Sequence, residues 1–287
     1  MSDRRPVVRA ALEEIAVHTV LLIAVFFALY PVLWVISLAL SPGDAPEQRL
    51  LPLPSAPTLE HFFAVVLRSD DSGRWLFGRQ LLNSVLVSGA TALGAVAIAT
   101  PAAYAFARFS FVGRDASPRT LLATQMFPAV AAAVPLYLIL NRLHLLDTRT
   151  GLVLVYATTA VPFAIFQLRG AFEAIPKDLE EAAMVDGASR FGAFVRVVLP
   201  AARPSLAVTA LFAFMAAWNE FILAATFLSR EETFTLPVVM QRYVGEYSAQ
   251  WGHFAAGAIV VSVPVMALFY ALQRQLVGGL TSGGVKG

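Results

Sequence analysis

The chain has 287 residues, of which 58% are hydrophobic and only 14% are charged, whereas a soluble domain carries about 25% charged residues. The net charge of +2 comes without a basic stripe interleaved with aromatic residues, which argues against nucleic acid binding. There is no cysteine for a disulfide or a thiolate metal site, and the four histidines lack metal-binding spacing. The composition predicts an integral membrane protein without a metal site.

The first apolar run extends from Ile15 to Leu40 and follows Arg4, Arg5 and Arg9. A basic start is typical of a signal peptide, but the apolar region of a signal peptide has only about 7–15 residues. We therefore interpret this run as a retained transmembrane helix, preceded by a cytoplasmic N-terminus of residues 1–14.

Five more runs approach the roughly 20 apolar residues that cross a bilayer. The fold class predicted is all-α, an integral membrane domain over residues 15–277 with six transmembrane helices. The spans lie near 15–40, 81–106, 120–140, 151–169, 205–228 and 254–277. Six spans put both termini on one side, and lysine and arginine are more frequent on that side. The positive-inside rule then predicts cytoplasmic termini.

Two predicted external segments are long, residues 41–80 and 229–252. In the first, Thr58 suits the N-cap of a short helix from Leu59 to Leu67.

The longest cytoplasmic loop, residues 175–204, is predicted to form two short amphipathic helices around a glycine turn. Pro176 suits a first helical position, and Gly187 suits the left-handed conformation that ends a helix. Pro200 and Pro204 are predicted to end the second helix. One face of that helix is formed by Phe191, Phe194, Val195 and Val198. Such a hairpin fits either docking into a groove of a soluble partner or lying on the membrane surface.

Within this loop Glu181, Ala182 and Ala183 are followed by Gly187 and later by Leu199 and Pro200, a pattern that resembles the EAA motif of ABC importer permeases. Val197 stands in place of the usual isoleucine of that motif. The resemblance implies that the loop docks in a cleft of an ATP-hydrolysing subunit, where Glu181 pairs with a basic residue. It implies no cofactor on this chain, since ATP and Mg bind the partner. In agreement, the sequence contains no P-loop.

The resemblance covers most of the chain and implies the type I ABC importer permease fold in a bacterial cytoplasmic (inner) membrane. The implied partners are a second permease subunit forming a heterodimer, two ATPase subunits, an extracytoplasmic sugar-binding protein and the lipid bilayer. The chain itself is then a transport subunit rather than an enzyme.

Glu220 is the one acidic residue deep inside a predicted span, where a charge costs at least about 2.5 kcal/mol unless it is paired or faces water. Together with Trp218 and Asn219 it offers an aromatic surface, an amide and a carboxylate, a set that suits a sugar in a translocation path. The alternative is a structural hydrogen bond between helices or a gate lining. Weaker path candidates are Asn83, Tyr104, Gln125, Tyr137 and Tyr156.

The external segment 229–252 is predicted to be a mobile loop that contacts the binding protein. The residues proposed for this contact are Tyr243, Gly245, Tyr247 and Trp251. The alternative is an aromatic belt at the membrane interface.

The C-terminal sequence from Leu276 to Gly287 resembles the tail of MalG-type subunits of maltose and trehalose importers. The resemblance implies that the cytoplasmic tail, residues 278–287, reaches into the ATPase dimer as an extended, glycine-rich peptide. The residues concerned are Thr281, Ser282, Gly283, Gly284 and Lys286. The alternative is a frayed terminus.

The tail favours maltose, maltodextrin or trehalose as the solute. Two other functions stay open: a permease of the same class for another sugar or a polyol, and an ion-coupled secondary transporter.

Overall fold

The computed structural model describes residues 5–43, 51–54, 56–114, 116–245 and 249–283. Within these ranges the regular elements are helices, apart from two isolated β-bridges, Ser69 with Trp75 and Val244 with Ala249. The first helices are α1 (Arg5–Leu40), α2 (Glu60–Val66), α3 (Leu76–Arg108), α4 (Ala116–Thr124), α5 (Ala129–Arg142) and α6 (Arg149–Ala174). The later helices are α7 (Lys177–Val185), α8 (Arg190–Ala193), α9 (Leu199–Ala201), α10 (Arg203–Trp218), α11 (Ile222–Phe227), α12 (Leu236–Arg242) and α13 (Trp251–Gly283). A π-helical turn (Phe194–Val198) joins α8 to α9, and a 3-10 turn (Glu231–Thr233) precedes α12.

Four of the described helices are long and apolar enough to cross a membrane. They are α1 over Glu13–Leu40, α3, α6, and α13 over Trp251–Gln273. A fifth span results if the bent pair Arg190–Ala201 and Arg203–Trp218 counts as one. The all-helical membrane fold predicted from the sequence is therefore confirmed, but with four or five candidate spans among the described residues instead of six.

The difference has two local causes. The predicted span 120–140 is interrupted between α4 and α5, and Pro128, which has no N–H to donate, stands directly before α5. The predicted span 205–228 is interrupted after Trp218, because the chain leaves the helix at Asn219 and starts again at Ile222.

The chain divides into two compact units, Met1–Arg68 with Met240–Val260, and Ser69–Val239 with Val261–Gly287. In the larger unit, α3, α6 and α10 pack against one another. A row of buried alanines on α3, Ala95, Ala99 and Ala103, lets these helices approach closely.

In the smaller unit, α2 is held by hydrogen bonds at its start. The short helix predicted after Thr58 is confirmed as Glu60–Val66, but its N-cap is Leu59 and not Thr58. The Thr58 hydroxyl accepts a hydrogen bond from the Glu60 N–H at 3.2 Å. The His61 Nε2 atom lies 2.9 Å from the Ser41 carbonyl oxygen. A side chain at Gly252 would collide with the ring of His61, so the glycine permits close contact between α2 and α13.

Candidate functional site

The loop from Ile175 to Pro204 begins with α7 and a left-handed glycine, as the sequence predicts. Gly187 has a φ of +91°, and the neighbouring Ala188 N–H bonds back to the Ala183 carbonyl at 3.0 Å. A side chain at Gly187 would meet nothing within 4 Å, so it is the backbone conformation and not the space that favours glycine here.

The motif residues on α7 face outward. Glu181 and Ala182 are exposed, Ala183 is half-buried, and Glu181 forms no ion pair within the described part of the chain. Glu181 also lines a cavity of about 150 Å³ with Lys177 and Arg190. An unpaired, exposed carboxylate on a helix of small residues suits contact with a cationic group of another protein.

The preceding residue, Glu180, was not singled out in the sequence, and it is buried with only 5% exposure. Arg108 Nε donates to its Oε2 atom at 2.9 Å, and the Tyr104 hydroxyl donates to its Oε1 atom. Arg108 also donates through Nη2 to the Ile175 carbonyl at 2.8 Å. The loop is therefore tied to the end of α3. No signal in the local pattern marks this pair, because its members lie far apart in the chain.

The second half of the loop differs from the prediction at its prolines. The helix does not end at Pro200 but continues to Ala201 and then bends by 71° into α10. The π-helical turn precedes Pro200, and the Leu199 N–H there donates to the Phe194 carbonyl. Pro200 lacks the N–H that an α-helical bond to Arg196 would need, which favours this irregular turn.

The predicted apolar face of this second helix is split. Val198 is fully buried, and the Phe194 ring lies 4.4 Å from the Tyr104 ring between centroids. Phe191, in contrast, is 75% exposed, and Val195 is also exposed. Leu199 and Pro200 are both half-buried.

The three candidate path residues do not form one surface. Trp218 is buried with its ring stacked on Phe214, and Asn219 is exposed. Glu220 accepts hydrogen bonds from the N–H groups of Leu223 and Ala224 at 2.9 and 3.0 Å, and so caps α11.

Glu220 also faces a mostly apolar cavity. The Tyr156 hydroxyl donates to its Oε2 atom at 2.7 Å. Both residues line a cavity of about 140 Å³, together with Thr159 and with Thr91, whose buried hydroxyl has no partner among the described atoms. The rest of the lining is apolar and consists of Ala160, Ala213, Ala216, Ala217 and Leu223, so the polar groups of this cavity are few.

The first half of the external segment 229–252 is anchored and not mobile. Asn83, fully buried on α3, donates to the carbonyl oxygens of Glu232 and Phe234 at 2.9 and 3.0 Å. Its Oδ1 atom accepts from Arg149 Nε at 2.7 Å. The expectation of a mobile loop is therefore wrong for this half of the segment. Asn83, Arg149 and the carbonyl groups of Glu232 and Phe234 together form what we call the latch, in which Asn83 has a structural role.

Asp147 strengthens this latch from the loop between α5 and α6. Burial alone would raise the pKa of Asp147, but hydrogen bonds from Thr233 and Arg230 and from the N–H groups of Ser229 and Arg230 outweigh it and lower the pKa. The Asp147 carboxylate is therefore ionised at neutral pH and holds this segment.

Of the four residues proposed for binding-protein contact, Tyr243, Gly245 and Trp251 are among the described residues. The Gln250 N–H bonds to the Tyr243 carbonyl at 2.8 Å, next to the Val244–Ala249 bridge. Tyr243 is only 7% exposed and stacks on His253, so its ring is not part of the surface. Gly245 is exposed, and Trp251 is 36% exposed. Tyr247 lies outside the described residues.

The C-terminal residues differ from the extended peptide expected. Thr281, Ser282 and Gly283 continue α13, since a glycine in a helix costs only about 1 kcal/mol and does not by itself end it. Gly284 and Lys286 lie outside the described residues.

Comparison with known proteins shows which family the chain matches. The family described as "Binding-protein-dependent transport system inner membrane component" matches residues 19–281. The trehalose transport system permease protein SugB of Mycobacterium tuberculosis (strain CDC 1551 / Oshkosh) is 38% identical over 289 residues, which is all of both chains. The maltose/maltodextrin permease MalG of Yersinia pestis is 36% identical over 294 residues, 96% of this chain and 94% of that protein.

One further relative and one solved structure are also similar to this chain. The sulfoquinovosyl glycerol transport system permease protein SmoH of Agrobacterium fabrum (strain C58 / ATCC 33970) is 36% identical over 260 residues, 90% of this chain and 89% of that protein. The fold resembles a chain in the crystal structure of a bacterial ABC transporter that imports alginate. That likeness has a TM-score of 0.75 at 24% identity and covers 93% of this chain and 97% of the other.

Proposed function

We propose the solute and the working arrangement of this chain from one premise: it belongs to the binding-protein-dependent inner membrane components, the permease subunits of ABC importers. It is a multi-pass inner membrane subunit that works with a binding protein and an ATPase. ATP is hydrolysed on the separate ATPase subunit, so the chain moves a solute and performs no covalent chemistry.

The proposed solute is a sugar of the trehalose or maltose and maltodextrin class. The observation that carries this proposal is the 38% identity to the trehalose permease over the entire length of both chains. A second candidate is another glycoside, and the 36% identity to the sulfoquinovosyl glycerol permease favours it.

The proposed complex holds this chain, a second permease subunit, two ATPase subunits and an external binding protein. The loop with Glu181 docks on an ATPase subunit at the cytoplasmic face of the membrane, and both termini of this chain are proposed to lie on the same side. The exposed, unpaired carboxylate of Glu181 and the left-handed turn at Gly187 support this docking. Closure of the ATPase dimer on ATP would then move the loop and the helices attached to it.

The remaining sites are proposed with narrower roles. Glu220 acts from the cavity that it shares with Tyr156, while the segment with Gly245, Tyr247 and Trp251 contacts the binding protein. Thr281, Ser282, Gly283, Gly284 and Lys286 are proposed to reach the ATPase dimer.

The test is reconstitution of the complex in proteoliposomes with its own ATPase and binding protein. We expect ATP-dependent uptake of labelled trehalose, maltose or maltotriose, and we expect Glu181→Ala to abolish sugar-stimulated ATP hydrolysis. Glu173→Ala, at an exposed glutamate outside the motif, is the matched control and retains it. Uptake of a non-glycosidic solute only would refute the sugar assignment, and full stimulation in Glu181→Ala would refute the docking.

A further inference from the structure

Helix α7 has a single buried side chain. Among its nine residues, all of them described, only Glu180 is buried. The apolar residues Leu179 and Val185 are 50% and 87% exposed. Its main neighbours, α8 and the π-helical turn, belong to the same loop. Apolar burial therefore contributes little to fixing α7 against the transmembrane helices.

The buried carboxylate is held at both of its oxygen atoms by α3. Tyr104 and Arg108 lie four residues apart, so their side chains share one face of that helix. One donates to Oε1 and the other to Oε2, the latter at 2.9 Å. Two directional bonds to one carboxylate fix its orientation as well as its position, which a sliding apolar contact would not do.

Aromatic rings close this cluster on its other side. The Tyr104 ring lies 4.4 Å from the Phe194 ring and 6.1 Å from the Phe172 ring between centroids. The tyrosine is thus held by packing independently of its hydroxyl, and Arg108 is held by its second bond, to the Ile175 carbonyl.

The rest of the loop is joined to α7 by irregular backbone. Gly187 is left-handed, and the π-helical turn interrupts the α-helical hydrogen bonds before the 71° bend into α10. Such points absorb changes of backbone angle. Helix α7 is therefore bound to α3 by directed hydrogen bonds and is joined to α10 only through this irregular backbone.

We propose that Tyr104, Arg108 and Glu180 form a clamp through which α3 follows every displacement of α7. This inference rests on the proposed docking of the loop and assigns the step after it. Glu181 contacts the ATPase subunit, and the neighbouring Glu180 transmits the motion inward. All three clamp residues are positioning residues.

The test compares ATP hydrolysed per sugar transported in reconstituted complexes, using trehalose or maltose, whichever the wild type takes up. Tyr104→Phe removes one donor and keeps the ring. The double variant Arg108→Met with Glu180→Met removes the ion pair without leaving a buried unpaired charge. We expect both variants to bind the ATPase subunits, and the double variant to hydrolyse at least about fivefold more ATP per sugar, the lower end of common coupling between sites.

The control is Glu173→Gln, which breaks the exposed pair with Arg169 at 2.8 Å and leaves the ratio unchanged. A wild-type ratio in the assembled double variant overturns the clamp. If the double variant does not assemble, a wild-type ratio in Tyr104→Phe overturns it, and a raised ratio supports it. If Glu181→Ala loses sugar-stimulated ATP hydrolysis while the clamp variants keep the wild-type ratio, the clamp is refuted and the docking stands. If Glu181→Ala keeps wild-type stimulation, the docking itself is refuted.

Discussion

The latch around Asn83 lends itself to a quantitative perturbation, because one fully buried amide satisfies three partners. Asn83→Leu keeps the branching at Cγ, although its methyl groups are larger than the amide atoms, and removes all three hydrogen bonds, two to backbone carbonyls and one from Arg149. Each partner left buried and unsatisfied costs about 1–3 kcal/mol, and the charged guanidinium lies at the upper end of that range. The Arg149 side chain can reorient toward water, so we expect a total loss of about 3–5 kcal/mol.

This loss is measured as a shift in apparent melting temperature of the purified complex in detergent, followed by tryptophan fluorescence at a fixed scan rate. At about 2–4 °C per kcal/mol for a chain of this size, the expected shift is about 6–20 °C downward. The matched control is Asn141→Leu at an exposed asparagine of α5, for which we expect no comparable change. Equal melting temperatures for Asn83→Leu and Asn141→Leu would show that the latch does not hold the segment.

Three further outcomes follow from the described structure and the proposed function. Because the pKa of Asp147 is lowered, its ionised form stabilises the fold above its ordinary value of about 4, and this stability is lost as the pH falls through the lowered pKa. Asp147→Asn should therefore melt below the wild type at neutral pH, and the two should converge in acid; a constant difference down to acid pH would contradict the role of the charge. Deletion of Leu280 to Gly287 should lower sugar-stimulated ATP hydrolysis while the ATPase subunits still co-purify, and normal transport would argue for a frayed end. Replacement of Val244 to Ser248 by a glycine-serine linker should weaken stimulation by loaded binding protein and spare basal ATP hydrolysis, and unchanged stimulation would show that this segment does not make the contact.

The sequence alone predicts the features that depend on local pattern. Apolar length predicts the membrane helices, and residue type with spacing predicts α7 and the left-handed Gly187. Breaks in membrane helices are harder to predict from the sequence, because such helices tolerate prolines. Pro200, for example, lies within a helical stretch. The break after Trp218 depends on the Glu220 carboxylate capping α11, and a single acidic residue in an apolar run does not indicate whether it binds solute or backbone.

Contacts between residues that are far apart in the chain are the features of the site that the sequence pattern does not predict. From the sequence, Arg108 is only a positive charge at the end of a helix. Nothing in the neighbouring sequence indicates that its partner is Glu180 and not Glu181. The burial of Tyr243 is likewise a consequence of its stacking on His253. Aromatic residues in a polar segment suggest a surface, although their rings are as readily used to pack the segment itself.

The contrast between α1 and α3 has a consequence for how these helices change in evolution. The apolar side chains of α1 over Glu13–Leu40 are almost entirely exposed, so many apolar residues can occupy each position against lipid tails or a neighbouring subunit. The alanines of α3 face close-packed helices, where added methylene groups force side chains and backbone apart. We expect α1 to drift rapidly among leucine, valine, isoleucine and phenylalanine, while Ala95, Ala99 and Ala103 accept only small residues. A saturation library selected for growth on the transported sugar would display this difference as two substitution spectra in one chain.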